Sequence, residues 1–517
     1  MPVLTGIDTL GVQRYVFRSN RLRDAIAASW LVHWATATEG ALAVPQNGSV
    51  LVAAGGNAVL RFSARNHAQD FVAQYTRQLH DQAPGLEVAI AHREYEPGQL
   101  ANAMGCLRID LARAKLERSP SVPQLGLSVT MGCRITGAPA VGFDRLETNV
   151  PLSRYVLRLR DPTVYRNATS QWDKFLEEHN AFDFPPDLDN LGRTREDTSL
   201  IGVVHVDGNE IGQQISNWLK DCTNDEVDDE AVIHQCREWS AALSAAGENA
   251  LKGVIKRVAD AVDRVTREVK GALRDLGFKL KPATDGRIYL PIRPVLLGGD
   301  DLTFLCDGRI ALDLATAAVN LFGRDDIPHL ELISACAGVA IVRSHAPFER
   351  AYELAENLCA NAKRRRREKK DTSSWVDWHI GTSPPGEGIA DLRGRTYVSR
   401  PGSNCFELTC RPYRLGSSAK ETETWRWLSE EVLGTGENGF RGAQWREHRN
   451  KVKELASLVR EGPEGIRRAR DAWTVASSVE LPDSLNADSG FLGNRTPLLD
   501  AIELLDLHLP LDGGKPS

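Results

Sequence analysis

Apolar residues fall at two alternating spacings along the chain. Short runs bounded by glycine or polar residues, such as Val3-Leu-Thr-Gly-Ile7 and Leu86 to Ala91, have the length and composition of strands. Longer stretches carry apolar residues three and four apart and predict helices over Arg21 to Thr38, His67 to Leu79 and Pro97 to Arg118. Between the first two helices lies Val50-Leu-Val-Ala-Ala-Gly-Gly-Asn-Ala-Val-Leu-Arg-Phe62, a strand, a Gly55-Gly56 turn and a strand.

The same order returns in the second half. Leu200 to Val206 predicts a buried strand, and Pro294-Val-Leu-Leu-Gly-Gly-Asp-Asp-Leu-Thr-Phe-Leu-Cys306 predicts a second hairpin. A helix over Ala311 to Leu321, a strand over Leu332 to Val342, a helix over Pro347 to Arg367 and a strand over Trp375 to Ile380 follow. Superposing the glycine pairs sets Asn57 and Ala58 against Asp300 and Asp301, so the first hairpin has the shape without the charge. A repeated strand, helix, hairpin, helix, strand order predicts an α+β protein with two ferredoxin-like palm sheets.

The expected division is a first, acid-free palm over 1–180, a linker over 181–198, a second palm over 199–415 and a C-terminal helical region over 421–517. Within these, Leu127 to Met131 and Tyr155 to Leu159 are expected as strands, and Asp229 to Leu276 as one long helix. Trp425 to Val432, Gly442 to Arg460 and Leu498 to Leu507 are the C-terminal candidate helices, and Asp512 to Ser517 a disordered tail.

Composition narrows the class. At 517 residues, with 42% hydrophobic and 26% charged, the chain is an ordinary globular protein of two to four domains. A net charge of −6 gives no general attraction to nucleic acid, so any such binding must come from local patches. No apolar run reaches membrane-spanning length, and Met1-Pro-Val-Leu lacks the charged start of a signal peptide, so no membrane partner and a cytoplasmic location are expected. The nine cysteines lack zinc spacing, so no zinc site is expected.

The chemistry concentrates at the second hairpin. Two adjacent acids at a hairpin tip gather negative charge that wants a cation, whereas a simple turn needs only one. Asp207 ends the strand that begins this half, where sites of such sheets are usually built. Nucleotidyl transfer commonly uses two divalent cations held by carboxylates from separate strands. Asp207, Asp300 and Asp301 supply that set for Mg²⁺ or Mn²⁺, with Asp300 ranked first beside Asp207 and the Gly208 carbonyl as a neutral ligand. Gly298 and Gly299 would let a triphosphate approach the backbone closely. Lys363 opens the run Lys363-Arg-Arg-Arg-Arg-Glu-Lys-Lys370. The bland account of that run is cations complementing a helix dipole; the sharper one sends Lys363 to a substrate phosphate and leaves the arginines as a solvated face or a nucleic-acid patch.

Asp207-Gly-Asn-x-x-Gly212, Gly298-Gly-Asp-Asp301, Gly338-Val-Ala-Ile-Val342 and Leu358-x-x-x-Ala-Lys363 together resemble the second palm of the CRISPR-associated polymerase/cyclase family. That family includes the large subunit of type III CRISPR effector complexes and is akin to GGDEF diguanylate cyclases. Gly11-Val-Gln-Arg-Tyr-Val-Phe17, Arg21-Leu-Arg-Asp24 and Gly55-Gly-Asn57 resemble its first palm, and the likeness covers roughly residues 1 to 415.

The resemblance implies two facing palms that hold two nucleoside triphosphates, ATP first, and join them into cyclic or linear oligoadenylate messengers of antiviral defence. It places metals on Asp207, Asp300 and Asp301, the triphosphate on Lys363, the acceptor nucleotide at Asn57 and a base contact at Ser240. Asn209 stands where some relatives have an acid. The chain opens on the first palm without an HD nuclease domain, which the isolated His80-Asp81 cannot replace, so no DNase activity is expected and a stand-alone enzyme is favoured. Two other readings stay open: a non-catalytic scaffold binding RNA or effector subunits, and a GTP-using diguanylate-cyclase-like enzyme. The palms could pair within one chain or between two copies.

Overall fold

The computed structural model describes residues 1–511 except 44–46, 120–128, 145–148, 192–199, 272, 274–275, 324–325, 385, 437–438, 478 and 486–487. In the first half, strands β1 (Val3–Leu10), β2 (Gly48–Ala54), β3 (Asn57–Phe62) and β4 (Glu87–Glu94) form one antiparallel sheet in the order β2-β3-β1-β4. Helices α1 (Leu22–Thr36), α2 (Arg65–Gln82) and α3 (Leu100–Glu117) complete it.

In the second half, β5 (Leu200–Gly208), β6 (Ile292–Gly298), β7 (Asp301–Asp307) and β8 (Ala335–Arg343) repeat that order as β6-β7-β5-β8. The sheet is then extended by β9 (Trp375–Ile380) and β10 (Tyr413–Arg414). Helices α4 (Ile211–Asn224) and α5 (Asp229–Asp260) precede the hairpin, α6 (Ala311–Phe322) joins β7 to β8, and α7 (Phe348–Glu368) follows β8. Both faces of β5 and β8 are covered, which is why these strands read as continuous apolar runs rather than alternating ones.

The repeat extends to its irregularities. Each hairpin has a register shift at the same place, between Val50 and Val52 in one copy and between Pro294 and Leu296 in the other. The register also corrects the alignment by one residue. Gly298 ends β6 opposite Asp301, as Ala54 ends β2 opposite Asn57. The second turn is therefore Gly299-Asp300 rather than Gly298-Gly299, and Asn57 corresponds to Asp301. Gly299 carries the positive φ of 69°, while both Gly55 and Gly56 do so in the first copy.

The palms pair within this chain. Each palm's last helix packs against the other palm: α3 joins the hydrophobic core of α4 and α5, and α7 joins that of α1 and α2. Phe17 stacks on Tyr352 with ring centroids 4.6 Å apart, and Arg108 of α3 donates to the Gly212 carbonyl at 3.1 Å.

Several expectations change. Tyr155 to Leu159 lies in a helix, Arg154–Leu159, because Tyr155, Val156 and Leu159 are its buried residues at helical spacing. Leu127 and Ser128 lie outside the described residues, and Val129 to Met131 form no strand. The long helix ends at Asp260, after which Val262–Asp263, Glu268–Val269 and Phe278–Lys279 form a small antiparallel sheet. The Asp263 carboxylate accepts from the Val265 and Thr266 N–H groups and turns the chain there. In the expected linker, Phe182–Asp183 pairs in parallel with Ile288–Tyr289, while 192–198 and the tail 512–517 lie outside the described residues.

The C-terminal region holds helices at Ala443–Glu447, Arg449–Leu458 and Leu498–Leu505, and a further one at Pro463–Ser477 that the spacing had not suggested. Pro463 pre-sets its first turn. A buried Arg411–Asp500 pair at 2.9 Å anchors the region to the second palm, where Tyr413 of β10 also donates to Asp500 at 2.7 Å. Among the described residues no helix is long and apolar enough to cross a membrane.

Candidate active site

The acids converge through strand register. Asp207, next to last in β5, lies directly opposite Asp301, the first residue of β7. Directly opposed residues of an antiparallel pair share one face, so the pairing brings Asp301 rather than Asp300 alongside Asp207. Asp300 sits in the turn, where its carbonyl accepts from the Gly208 N–H at 3.1 Å. A Cβ on Gly208 would lie 2.9 Å from the Cβ of Asp300, so glycine there lets the turn close over the strand end.

Burial raises both hairpin acids, and the Asp207 charge adds to it: Asp300 is pushed up to about 7 and Asp301 to about 8. Partly buried carboxylates that repel one another are poised to accept a cation.

Helix α7 brings the counter-charge. Lys363 Nζ donates to the Gly208 carbonyl at 2.6 Å and pairs with Asp207 Oδ2 at 2.6 Å. Burial is the largest single influence and works to lower its pKa, but the Asp207 charge and hydrogen bond together with the Cys359 and Cys336 thiols hold it raised. α7 reaches this position because it lies directly on β8: a Cβ on Gly338 would stand 1.9 Å from the Ala355 carbonyl oxygen.

The helix also delivers residues the sequence reading had not singled out. Tyr352 and Glu356 lie on α7 near His205, which is 3.3 Å from Asp301 and hydrogen-bonded to Thr303 at 3.1 Å. Burial lowers the His205 pKa and raises that of Glu356, where the Asp207 charge works the same way. The available signal was period: His205 precedes Asp207 by two on one strand, and Tyr352, Glu356 and Lys363 recur at helical spacing.

The donor set of Asp207, Asp300, Asp301 and the Gly208 carbonyl is all hard oxygen and suits Mg²⁺ or Mn²⁺. Asp301 Oδ1 is buried without a hydrogen bond, although His205 Nδ1 stands 3.3 Å from it, and so remains open to a cation. Among the described residues, no three Asp, Glu, His or Cys side chains are gathered at metal-binding distances. The Lys363 ammonium occupies the two oxygens, on Asp207 and Gly208, that a cation would use.

The first palm is not acid-free. Asp8 of β1 pairs with Asn57 of β3 as Asp207 pairs with Asp301. Asp8 forms an ion pair with Lys115, the sixteenth residue of α3, just as Lys363 is the sixteenth of α7. In the amide orientation its neighbours favour, Asn57 donates to both Asp8 oxygens at 3.1 and 3.2 Å. The two copies thus share the acid–lysine pair and differ in two side chains, an amide in place of the Asp301 carboxylate and Gly56 in place of the turn acid Asp300.

Of the remaining candidates, Asn209 is buried and turned away, donating to Ser334 Oγ at 2.9 Å. Gly298 and Gly299 line a cavity of about 330 Å³ between the hairpin tips, α1 and α5. Ser244 and Glu248 of α5 line it, one and two turns beyond Ser240, which does not.

Two facing palm sheets, one with its acids and one nearly so, define the class of protein. The sequence family described as "Cas10/Cmr2, second palm domain" matches residues 200–373, so the chain carries a Cas10-like palm core. The crystal structure of an apo Csm1–Csm4 cassette is similar at 12% identity over 98% of this chain and 70% of that chain, with a TM-score of 0.50. The same cassette with AMPPNP gives 13% identity over 98% and 69%, with a TM-score of 0.49. At such identities the likeness concerns fold alone. No curated protein matches the sequence.

Proposed function

We propose that this protein is a metal-dependent nucleotidyltransferase that joins nucleoside triphosphates, ATP first, into cyclic or oligomeric nucleotide messengers of antiviral defence. The carrying observation is the Asp207–Asp301 cross-strand pair with Asp300 in the adjoining turn. Asp207, Asp300, Asp301 and the Gly208 carbonyl would hold Mg²⁺ or Mn²⁺, which would supply charge neutralisation at the attacking and leaving oxygens. Lys363 would leave Asp207 and bind the departing phosphates, as its reach and raised pKa support. Asn57 and Asp8 would face the acceptor nucleotide, and Ser244, in place of Ser240, the base in the cavity between the tips.

We assign residues 1–180 and 199–415 to the two palms and the region from 421 to a partner contact. A partner subunit enters this reading because the similar Csm1 was crystallised with Csm4. Incubation with each of four labelled nucleoside triphosphates and Mn²⁺ tests it. Product from the wild type, its absence from Asp300→Asn and a preference for ATP are expected. Equal product from both proteins would overturn it, and preference for GTP would favour a diguanylate-cyclase-like reaction.

The Lys363 contacts also favour a second reading, a scaffold that binds nucleotide or RNA without turnover. Binding unaffected by Asp207→Ala, with no pyrophosphate released, would select it.

A further inference from the structure

The basic run at the end of α7 divides around the helix. Lys363 and Arg366 turn toward carboxylates at the end of β5, Arg366 pairing with Glu210 at 3.3 Å. Arg364 and Arg365 face elsewhere, into a cavity of about 400 Å³ bounded by α7, the helix Ile389–Thr396 and the C-terminal region. Arg393, Arg411, Arg495 and Asn361 line it as well. Side-chain exposure falls from 59% at Arg364 to 33% at Arg365, 12% at Arg393 and 0% at Arg411, so guanidinium groups descend from rim to floor.

Five arginines line the wall beside two carboxylates, Glu368 and Glu407, which pair with Arg365 at 3.2 Å and with Arg495 at 3.0 Å. Behind it, the wholly buried Asp377 and Asp500 bond Arg393 at 2.6 Å and pair with Arg411 at 2.9 Å. These contacts fix the guanidinium planes without using every donor. Arg393 Nε has no hydrogen-bond partner, and neither has Arg411 Nη2, although Glu503 stands 3.3 Å from it.

We propose that this cavity binds a phosphorylated anion of mononucleotide size, at a site separate from the carboxylates on β5 and β7. Its volume falls in the range of small-ligand sites. Preset guanidinium forks match the oxygens of a phosphate, which lysines or a solvated face would not do as well. A floor at the fully buried Arg411 suits a discrete ligand rather than a polymer running past. The site does not depend on the catalytic reading.

The test is calorimetry of the full chain in EDTA, with inorganic triphosphate and with AMP as separate probes. Saturable one-site binding of at least one probe is expected, about tenfold weaker in Arg364→Ala/Arg365→Ala and unchanged in Asp300→Asn. The rim arginines are partly exposed, so their removal leaves the fold intact; melting curves verify this. The better-bound probe says whether the ligand is a nucleotide or a polyphosphate. No saturable binding, equal affinity in the double variant, loss in Asp300→Asn, or capture of single-stranded RNA while both probes fail would each overturn the proposal.

Discussion

An ideal Cβ placed on Gly298 would lie 2.7 Å from the Cα of Gly55. The tips of the two hairpins touch backbone to backbone, one at the end of β6 and the other in the opposite turn. This contact brings the second palm's acids to the same gap that Asn57 borders. Gly298→Ala must separate the tips, because the neighbour is backbone and cannot swing aside. We expect a loss of about 1–3 kcal/mol in chemical denaturation and a larger proportional loss of product. Gly55→Ala adds the strain of a φ of 60° to the same clash and should cost more.

Lys363→Ala removes the ammonium from Asp207 and the Gly208 carbonyl. Mn²⁺ affinity, measured by calorimetry without nucleotide, should rise about tenfold or more, because the competing cation is gone. Turnover should fall at the same time, since the phosphates lose their partner. A fall in Mn²⁺ affinity would show that the lysine organises the metal ligands instead of competing with the ion.

The raised acids set a pH dependence. Asp300 and Asp301 have folded pKa values near 7 and 8, above the ordinary carboxylate value near 4. Their protonated forms therefore favour the fold, and this contribution is lost as pH rises through that window. The metal-free protein should melt at a lower temperature at pH 8.5 than at pH 6. Asp301→Asn should flatten the difference and raise the melting temperature at the higher pH. Metal binding near pH 7 should release protons, read as a heat that changes with the buffer.

Asn57→Asp would give the first palm the acid pair of the second. With Asp8 directly opposite and Lys115 in the place of Lys363, the change rebuilds the missing carboxylate. One additional Mn²⁺ per chain is expected in equilibrium binding at pH 8. An unchanged stoichiometry would show that the turn acid, where the first copy has Gly56, is indispensable.

Gly338→Ala tests how Lys363 is placed. The substituted methyl would meet the Ala355 carbonyl and the Cys359 N–H, both backbone atoms of α7. The helix must lift from β8, at a cost of about 3 kcal/mol by denaturation, and Lys363 must leave the strand end with it.

Much of the arrangement was legible beforehand, for physical reasons. Strands buried on both faces are apolar throughout, and hairpins need glycine or a turn acid at the tip, so β5, both hairpins and β8 stand out in the sequence. Chain order then implied two repeated palms, and acids at a strand end and a turn pointed to a cation site at Asp207, Asp300 and Asp301. Register was not legible, because one residue of slip leaves composition unchanged while moving every side chain to the other face. Only the folded sheets decided that Asp301 opposes Asp207, that Asn57 is its counterpart, and that Asp8 keeps the first palm from being acid-free. Helix faces were hidden for a similar reason. The run from Lys363 to Lys370 is uniformly basic as text, yet rotation about α7 sends Lys363 to the acids and Arg364 and Arg365 to a separate cavity. Local chemistry named the residues; pairing partners and helix rotation, set by packing between distant segments, determined which of them meet.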